Sequence, residues 1–346
     1  MAPAAGRGPL SRRGPGRDGS GRDWDEDDIR VRPGRSSRPR TRTRPEHVDA
    51  EDGFVTAVDR GRYTCRVGDR TVVAMRAREL GRKSVVVGDR VHLVGDTSGG
   101  PDALARIVRI GERTSSLRRT ADDDDPYERV IVANADQLVI VTALADPPPR
   151  TGFIDRCLVA AYAAGLDALL CLTKADLATP DELLANYADL DLQVVTTRHD
   201  AHPDELRARL AGKVSVLVGH SGVGKSTLVN ALVPGAARST GVVSAIGKGR
   251  HTSTSAVALE LPDGPGWVVD TPGVRSFGLA HVSPASLLDT FPDLADGSVD
   301  CPPGCSHLSA ADGCALDRWV ADGHAPERRL VAYRRLLESR TDLDPF

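Results

Sequence analysis

The run Gly219-His220-Ser221-Gly222-Val223-Gly224-Lys225-Ser226, followed by Thr227, has the spacing G-x-x-x-x-G-K-[ST]. This spacing closes backbone N–H groups around phosphate oxygens, and glycines are needed because a Cβ would obstruct the approach. Lys225 is expected at the β- and γ-phosphates and Ser226 on Mg²⁺, with a helix N-terminus adding partial positive charge. A chance glycine loop would lack the apolar strand at residues 214–218 before it and the helical residues 227–232 after it.

Three further groups could do chemistry. Asp270-Thr271-Pro272-Gly273 ends an apolar run at 267–269 and has the form D-x-x-G. Asp270 would hold the metal through water, and the Gly273 N–H would face a γ-phosphate. Thr173-Lys174-Ala175-Asp176 ends a strand-like run at 168–172 and resembles the guanine motif N-K-x-D, with Thr in place of Asn. A carboxylate at Asp176 can accept both the N1–H and the N2 amino hydrogens of guanine, a donor pair that adenine lacks. Lys174 would lay its stem along the base plane. Thr196 and Thr197 follow the next strand, where backbone groups would meet the guanine O6. The third group is Cys301, Cys305, His307 and Cys314, with Pro302-Pro303-Gly304 making a stiff turn between the first two cysteines. Three thiolates and one imidazole form a closed tetrahedral set for structural Zn²⁺. Free thiols in a loop are the plainer reading.

The motif order is informative. An ordinary GTPase runs phosphate loop, switch threonine, D-x-x-G, base motif, whereas here the base motif at 173–176 precedes the phosphate loop at 219–226. Each motif still sits at the C-terminal end of a predicted strand, the edge where an open α/β sheet binds its ligand. A circular permutation preserves that edge. It also places the segment from Asp270 directly before the C-terminal region.

The surrounding elements must position these groups. Residues 53–58, 63–67, 71–77, 91–94 and 103–110 read as short strands broken by Gly-Asp turns, which suggests a small OB-like barrel. After an Arg-rich turn at 113–119 and an acidic run at 122–125, read as a solvated loop, strands and helices alternate. Strands are expected at 137–142, 168–173, 192–196 and 214–218, and helices at 153–164 and 203–211. That alternation implies a mostly parallel sheet covered on both faces. A basic helix is expected near 327–337.

Composition limits the class. Of the 346 residues, 40% are hydrophobic and 27% charged, and no apolar run approaches the length needed to cross a bilayer. A soluble, cytoplasmic, monomeric protein without a membrane partner is expected. The net charge of −3 conceals an N-terminal segment crowded with arginines, including Arg12, Arg13, Arg17, Arg35, Arg38, Arg40, Arg42 and Arg44. It lacks the apolar residues to order itself. It reads either as an arm that neutralises nucleic-acid phosphates or as a solubilising tail. Cys65, Cys157 and Cys171 sit in apolar contexts and read as buried free thiols.

Together the T-K-A-D, phosphate-loop and D-x-x-G segments, Arg250-His251-Thr252-Ser253-Thr254 and the Cys/His group resemble the RsgA/YjeQ family of small-ribosomal-subunit-dependent GTPases over roughly residues 50–340. The resemblance implies an N-terminal OB barrel, a central circularly permuted α/β P-loop GTPase and a C-terminal, mostly helical zinc domain. The expected boundaries are 1–47 for the arm, 48–112, 113–283 and 284–346. It also implies GTP/GDP with Mg²⁺ and one Zn²⁺, and 30S subunits and their 16S rRNA as partners, with hydrolysis stimulated by the subunit. Relative to the family's pattern, the first two cysteines are one residue closer and His307 and Cys314 one residue farther apart, so the loop geometry around a metal must differ.

Many GTPases place a water-positioning Gln directly after D-x-x-G; here Val274 stands there and cannot serve. His251, beside the switch residue Thr252, is the candidate to orient water, and Thr252 the candidate to close on Mg²⁺. Gly222 stands where some related GTPases carry a K⁺-holding Asn, which argues against a K⁺ requirement. A GTP-dependent RNA- or ribosome-binding module, in which hydrolysis only resets binding, is the rival class. A P-loop kinase or ATPase is disfavoured by Asp176.

Overall fold

The computed structural model describes residues 47–80, 84–120, 128–235, 256–262, 264–271, 277, 279, 282–310 and 313–339. The arginine-rich arm through residue 46, the acidic run at 122–125, His251, Thr252, Gly273 and Val274 lie outside the described residues.

The expected barrel strands form. They are β1 (Glu51–Asp59), β2 (Arg62–Val67), β3 (Arg70–Arg76), β4 (Arg90–Gly95) and β5 (Ala105–Ile110). Their order is β1-β2-β3-β5-β4, and β4 pairs back to β1, so the sheet closes. The β3–β5 pairing is parallel and the others are antiparallel, as in an OB fold. Alternation along the strands turns Val55, Cys65, Val72, Leu93 and Ile107 inward to a common core.

A hairpin of β6 (Ser116–Thr120) and β7 (Glu128–Ala133) follows. The arginine-rich stretch read as a turn is therefore partly a strand. Its one large apolar residue, Leu117, is buried opposite Val132, and this single anchor is too weak a pattern to read among arginines.

The second sheet region carries β8 (Gln137–Ala143), β9 (Asp167–Thr173), β10 (Gln193–Thr196), β11 (Val214–Val218), β12 (Val257–Glu260) and β13 (Trp267–Asp270) in the order β10-β9-β8-β11-β13-β12. All neighbours are parallel except β12 against β13. The chain runs outward from β8 to β9 and β10, then returns to lay β11 on the other side of β8. The crevice between β8 and β11 is therefore the topological switch point, where open α/β sheets bind ligands.

Helix α1 (Thr151–Ala163) covers one face, and α3 (Asp204–Leu210) and α4 (Lys225–Leu232) cover the other. A short α2 (Asp181–Ala185) lies between β9 and β10. Leu138 and Ile140 of β8 face the α1 side, while Val139 and Val141 face α3 and α4. Edge strand β12 also pairs with β1 at Ala57↔Val257, so barrel and α/β region share one continuous sheet of eleven strands. Arg66 of β2 reaches Glu260 of β12 at 3.2 Å, and the Phe54 and Trp267 rings lie 4.9 Å apart across the seam. On the other side of the junction, buried Asp89 accepts from Arg113 Nε at 2.7 Å and Nη2 at 2.9 Å, and from the Val86 N–H at 2.8 Å.

The C-terminal region is helical among the described residues, with α5 (Pro284–Leu288), α6 (Pro292–Ala295), α7 (Ala315–Ala321) and α8 (Glu327–Ser339). Leu330, Tyr333, Leu336 and Leu337 of α8 join the core cluster that includes α1. Every residue from Phe153 to Ala161 is consequently buried, because α1 is covered by the sheet on one side and by C-terminal helices on the other. No described helix is long and apolar enough to cross a membrane.

Candidate nucleotide site and metal cluster

The phosphate loop leaves β11 at the switch point and enters α4. Gly219 is required by close packing, since a Cβ there would lie 2.5 Å from the Val141 carbonyl oxygen. Gly224 caps α4 with φ of 91°, a left-handed conformation that disfavours other residues. Ser221, Gly222 and Ser226 are exposed, so the loop's mouth is open to a ligand. The Lys225 ammonium pairs with Asp270 Oδ1, which brings the P-loop cation and the first D-x-x-G residue together. Register explains the meeting: Asp270 pairs with Leu217, two residues before Gly219, and the Thr271 hydroxyl donates to the Leu217 carbonyl at 2.8 Å.

The T-K-A-D segment lies at the same edge, one strand beyond β8. Thr173 is buried, and its hydroxyl donates to the Val223 carbonyl at 2.6 Å, tying the base motif to the phosphate loop. Lys174 has φ of 58° and donates through Nζ to the Asp146 carbonyl. Ala175 N–H donates to the Thr197 carbonyl at 3.2 Å, and Thr197 N–H donates to Leu172 at 2.7 Å. Thr197 thus braces the loop through its backbone. Asp176 is exposed beside it, where a carboxylate can meet a base.

The segment after β8 completes the site and was not singled out from sequence. Besides the Asp146 carbonyl, Pro147 lies 3.6 Å from where a Cβ of Gly222 would project. On α1, the Phe153 ring packs tilted against His220 of the phosphate loop, with ring centres 4.1 Å apart and planes at 50°. The available signal was positional: residues 144–150 follow a strand that ends at the ligand-binding edge.

These motifs on this topology match known proteins. The family model described as RsgA GTPase matches residues 110–280. A protein of Chlorobaculum parvum named small ribosomal subunit biogenesis GTPase RsgA is 36% identical over 304 residues, covering 83% of this chain and 97% of that relative. The chain belongs to the RsgA GTPase family. A Pseudomonas aeruginosa RsgA of the same name is 42% identical over 271 residues, covering 75% of this chain and 77% of its own. The crystal structure of YjeQ from Thermotoga maritima superposes with a TM-score of 0.61 at 26% identity, covering 84% of this chain and 98% of the other. The fold is also shared with YloQ, described as a circularly permuted GTPase, with a TM-score of 0.60. This chain is accordingly a GTP-hydrolysing enzyme with the permuted motif order.

In the C-terminal region, the ligand atoms of Cys301, Cys305, His307 and Cys314 all lie within 4.8 Å of one another. His307 Nδ1 is 3.6 Å from both Cys301 Sγ and Cys314 Sγ. Burial raises the Cys314 thiol to about 11, so a cation is needed to hold it as thiolate. Burial and then Arg334 lower the His307 imidazole, favouring the neutral form that ligates metal. The Arg334 Nε donates to the His307 carbonyl at 2.9 Å and fixes the loop, while its Nη1 and Nη2 grip Asp317 at 2.8 and 2.7 Å. A soft, compact Cys₃His set of this kind fits a zinc ion.

Proposed function

We propose that this chain binds the 30S ribosomal subunit, assists its late maturation, and couples GTP hydrolysis to release. The observation that carries the reading is the relationship to proteins named for small-subunit biogenesis, one of them matched over 97% of its length. The permuted site supports it, because base motif and phosphate loop converge at one crevice through the Thr173–Val223 bond.

In this reading Asp176 selects guanine, Lys174 flanks the base, and the backbone of 219–227 holds the phosphates. Lys225 exchanges its Asp270 partner for phosphate oxygens. Ser226 and Thr252 are the residues to hold Mg²⁺, with Asp270 behind a water. His251 orients the attacking water, and the Gly273 N–H faces the γ-phosphate. Cys301, Cys305, His307 and Cys314 hold a structural zinc. The working division is arm 1–47, barrel 48–112, GTPase 113–283 and zinc domain 284–346. The protein acts as a cytoplasmic monomer, with 16S rRNA as the surface that the subunit offers.

The test is GTP turnover by the purified full chain with and without 30S subunits, using ATP and 50S subunits as controls. A rise of roughly tenfold or more with 30S alone supports the reading, since partner-supplied activation of GTPases is typically larger still. His251→Ala should then abolish the rise while leaving GDP bound. No rise with 30S overturns the ribosomal assignment.

A further inference from the structure

The last helix reaches the nucleotide site by a route that does not pass through D-x-x-G. Arg335 of α8 places Nε 3.1 Å from Oδ2 of Asp155, a carboxylate whose side chain is 4% exposed in the middle of α1. Its guanidinium lies 4.9 Å over the Tyr187 ring, and Nη1 donates to the Asn186 carbonyl at 2.8 Å. Nearly two turns earlier, Arg329 donates to the Asp189 carbonyl and Arg328 pairs with the Asp189 carboxylate at 2.8 Å. The α8 arginines therefore grip α1 and the segment that follows α2, both belonging to the half of the α/β region that carries the base motif.

What α1 does in its first turn gives this grip a consequence. Tyr187 Oη donates to the Thr151 carbonyl at 3.3 Å in the first turn of α1, and the Phe153 ring in the same turn packs against His220. Asp155 lies two residues beyond Phe153. Burial pushes the Asp155 carboxyl above the usual carboxylate range and Arg335 opposes that, so α1 cannot shift relative to α8 without taking from this buried group its charged partner. The positions of α8, α1 and the phosphate loop are thus linked by an ion pair, a helix turn and a contact between two rings. Coupling of this sort is carried by packed, discrete contacts.

We propose that Arg335 is a positioning residue for guanine nucleotide binding, acting through Asp155 and the first turn of α1 to hold the phosphate loop in place. The C-terminal helix then serves as a retention clamp. A partner that draws α8 off α1 would speed nucleotide release. This inference rests on the GTPase reading of the site.

The experiment uses the full chain, with GDP carrying a fluorescent ribose label followed by stopped flow. Wild type must first retain GDP better than ADP; if it does not, the GTPase reading fails before any variant is compared. Arg335→Met should release GDP about tenfold faster, within the usual range of coupling between sites. Arg335→Lys keeps the charge but loses the planar fork, and should fall between the two. Hydrogen exchange supplies the readout that a general loss of stability would not give. Without nucleotide, peptides spanning 219–227 should exchange faster in Arg335→Met while barrel strands β2 and β3 stay unchanged. Should Arg335→Met fail to fold, Arg335→Lys carries both measurements at smaller amplitude. Dissociation within about 1.5-fold of wild type in the folded variants, or exchange that rises equally everywhere, overturns the proposal.

Discussion

The Thr173 hydroxyl and the Val223 carbonyl are 2.6 Å apart, and the bond between them joins the end of β9 to the middle of the phosphate loop. Thr173 sits where related motifs carry Asn. With its hydroxyl directed at the loop, its part is to hold loop and base segment together. Gly224, next to Val223, has room for this approach, since its added Cβ would still lie 3.8 Å from Thr173 Oγ1.

Replacing Thr173 by Val keeps the shape and removes the donor. A buried carbonyl that loses its partner costs about 1 kcal/mol or somewhat more, so GDP should bind about fivefold to tenfold more weakly by calorimetry. Thr173→Ser should bind close to wild type. Equal affinity in Thr173→Val would mean that the bond does not organise the loop.

Asp176→Asn tests base selection. Losing charge-assisted hydrogen bonds worth about 1.5–3 kcal/mol should weaken GDP by roughly 10- to 150-fold. The amide's N–H₂ can donate to the C2 carbonyl of xanthine, so xanthosine diphosphate should bind the variant better than GDP. Unchanged GDP affinity would remove Asp176 from the base site.

The Cys/His cluster should carry one zinc per chain by elemental analysis, despite its altered spacing. Cys305→Ser should release it and lower the melting temperature by about 10 °C, as expected for the loss of a structural metal. Metal-free wild-type protein with an unaltered melting curve would leave the cluster as free thiols.

Asp89 binds the barrel to the hairpin junction through Arg113 and the Val86 amide. Asp89→Ala leaves Arg113 with the Ser84 carbonyl alone and frees the Val86 amide, and should destabilise the protein by roughly 2 kcal/mol in urea unfolding. GDP affinity at low temperature should persist, because the nucleotide groups lie on other elements. A change under about 0.5 kcal/mol would show that the junction is held by packing alone.

Much of the site was legible because its chemistry is local. A strand followed by glycines, lysine and serine dictates its own turn, and the five barrel strands announce themselves by alternation and Gly-Asp turns. Four metal-type side chains within fourteen positions, 301–314, are bound to meet if the segment between them turns back. The arginine-rich strand at Ser116–Thr120 was illegible because one buried leucine defines it. The short β12 was illegible because it spans only four residues and one of its two partners, β1, lies far earlier in the chain.

The sequence by itself therefore determined which turn has the phosphate-loop spacing, which carboxylate follows the base-type motif, and the permuted order in which they occur. Those properties depend on backbone freedom and side-chain type over a few residues. Only the tertiary structure decided that β11 lies beside β8, that Lys225 meets Asp270, that Thr173 reaches Val223, and that Arg335 finds Asp155. Each of these pairs is set by sheet order or by the burial of α1 between two layers. Such placements result from covering apolar surface across the whole chain, so no local pattern records them.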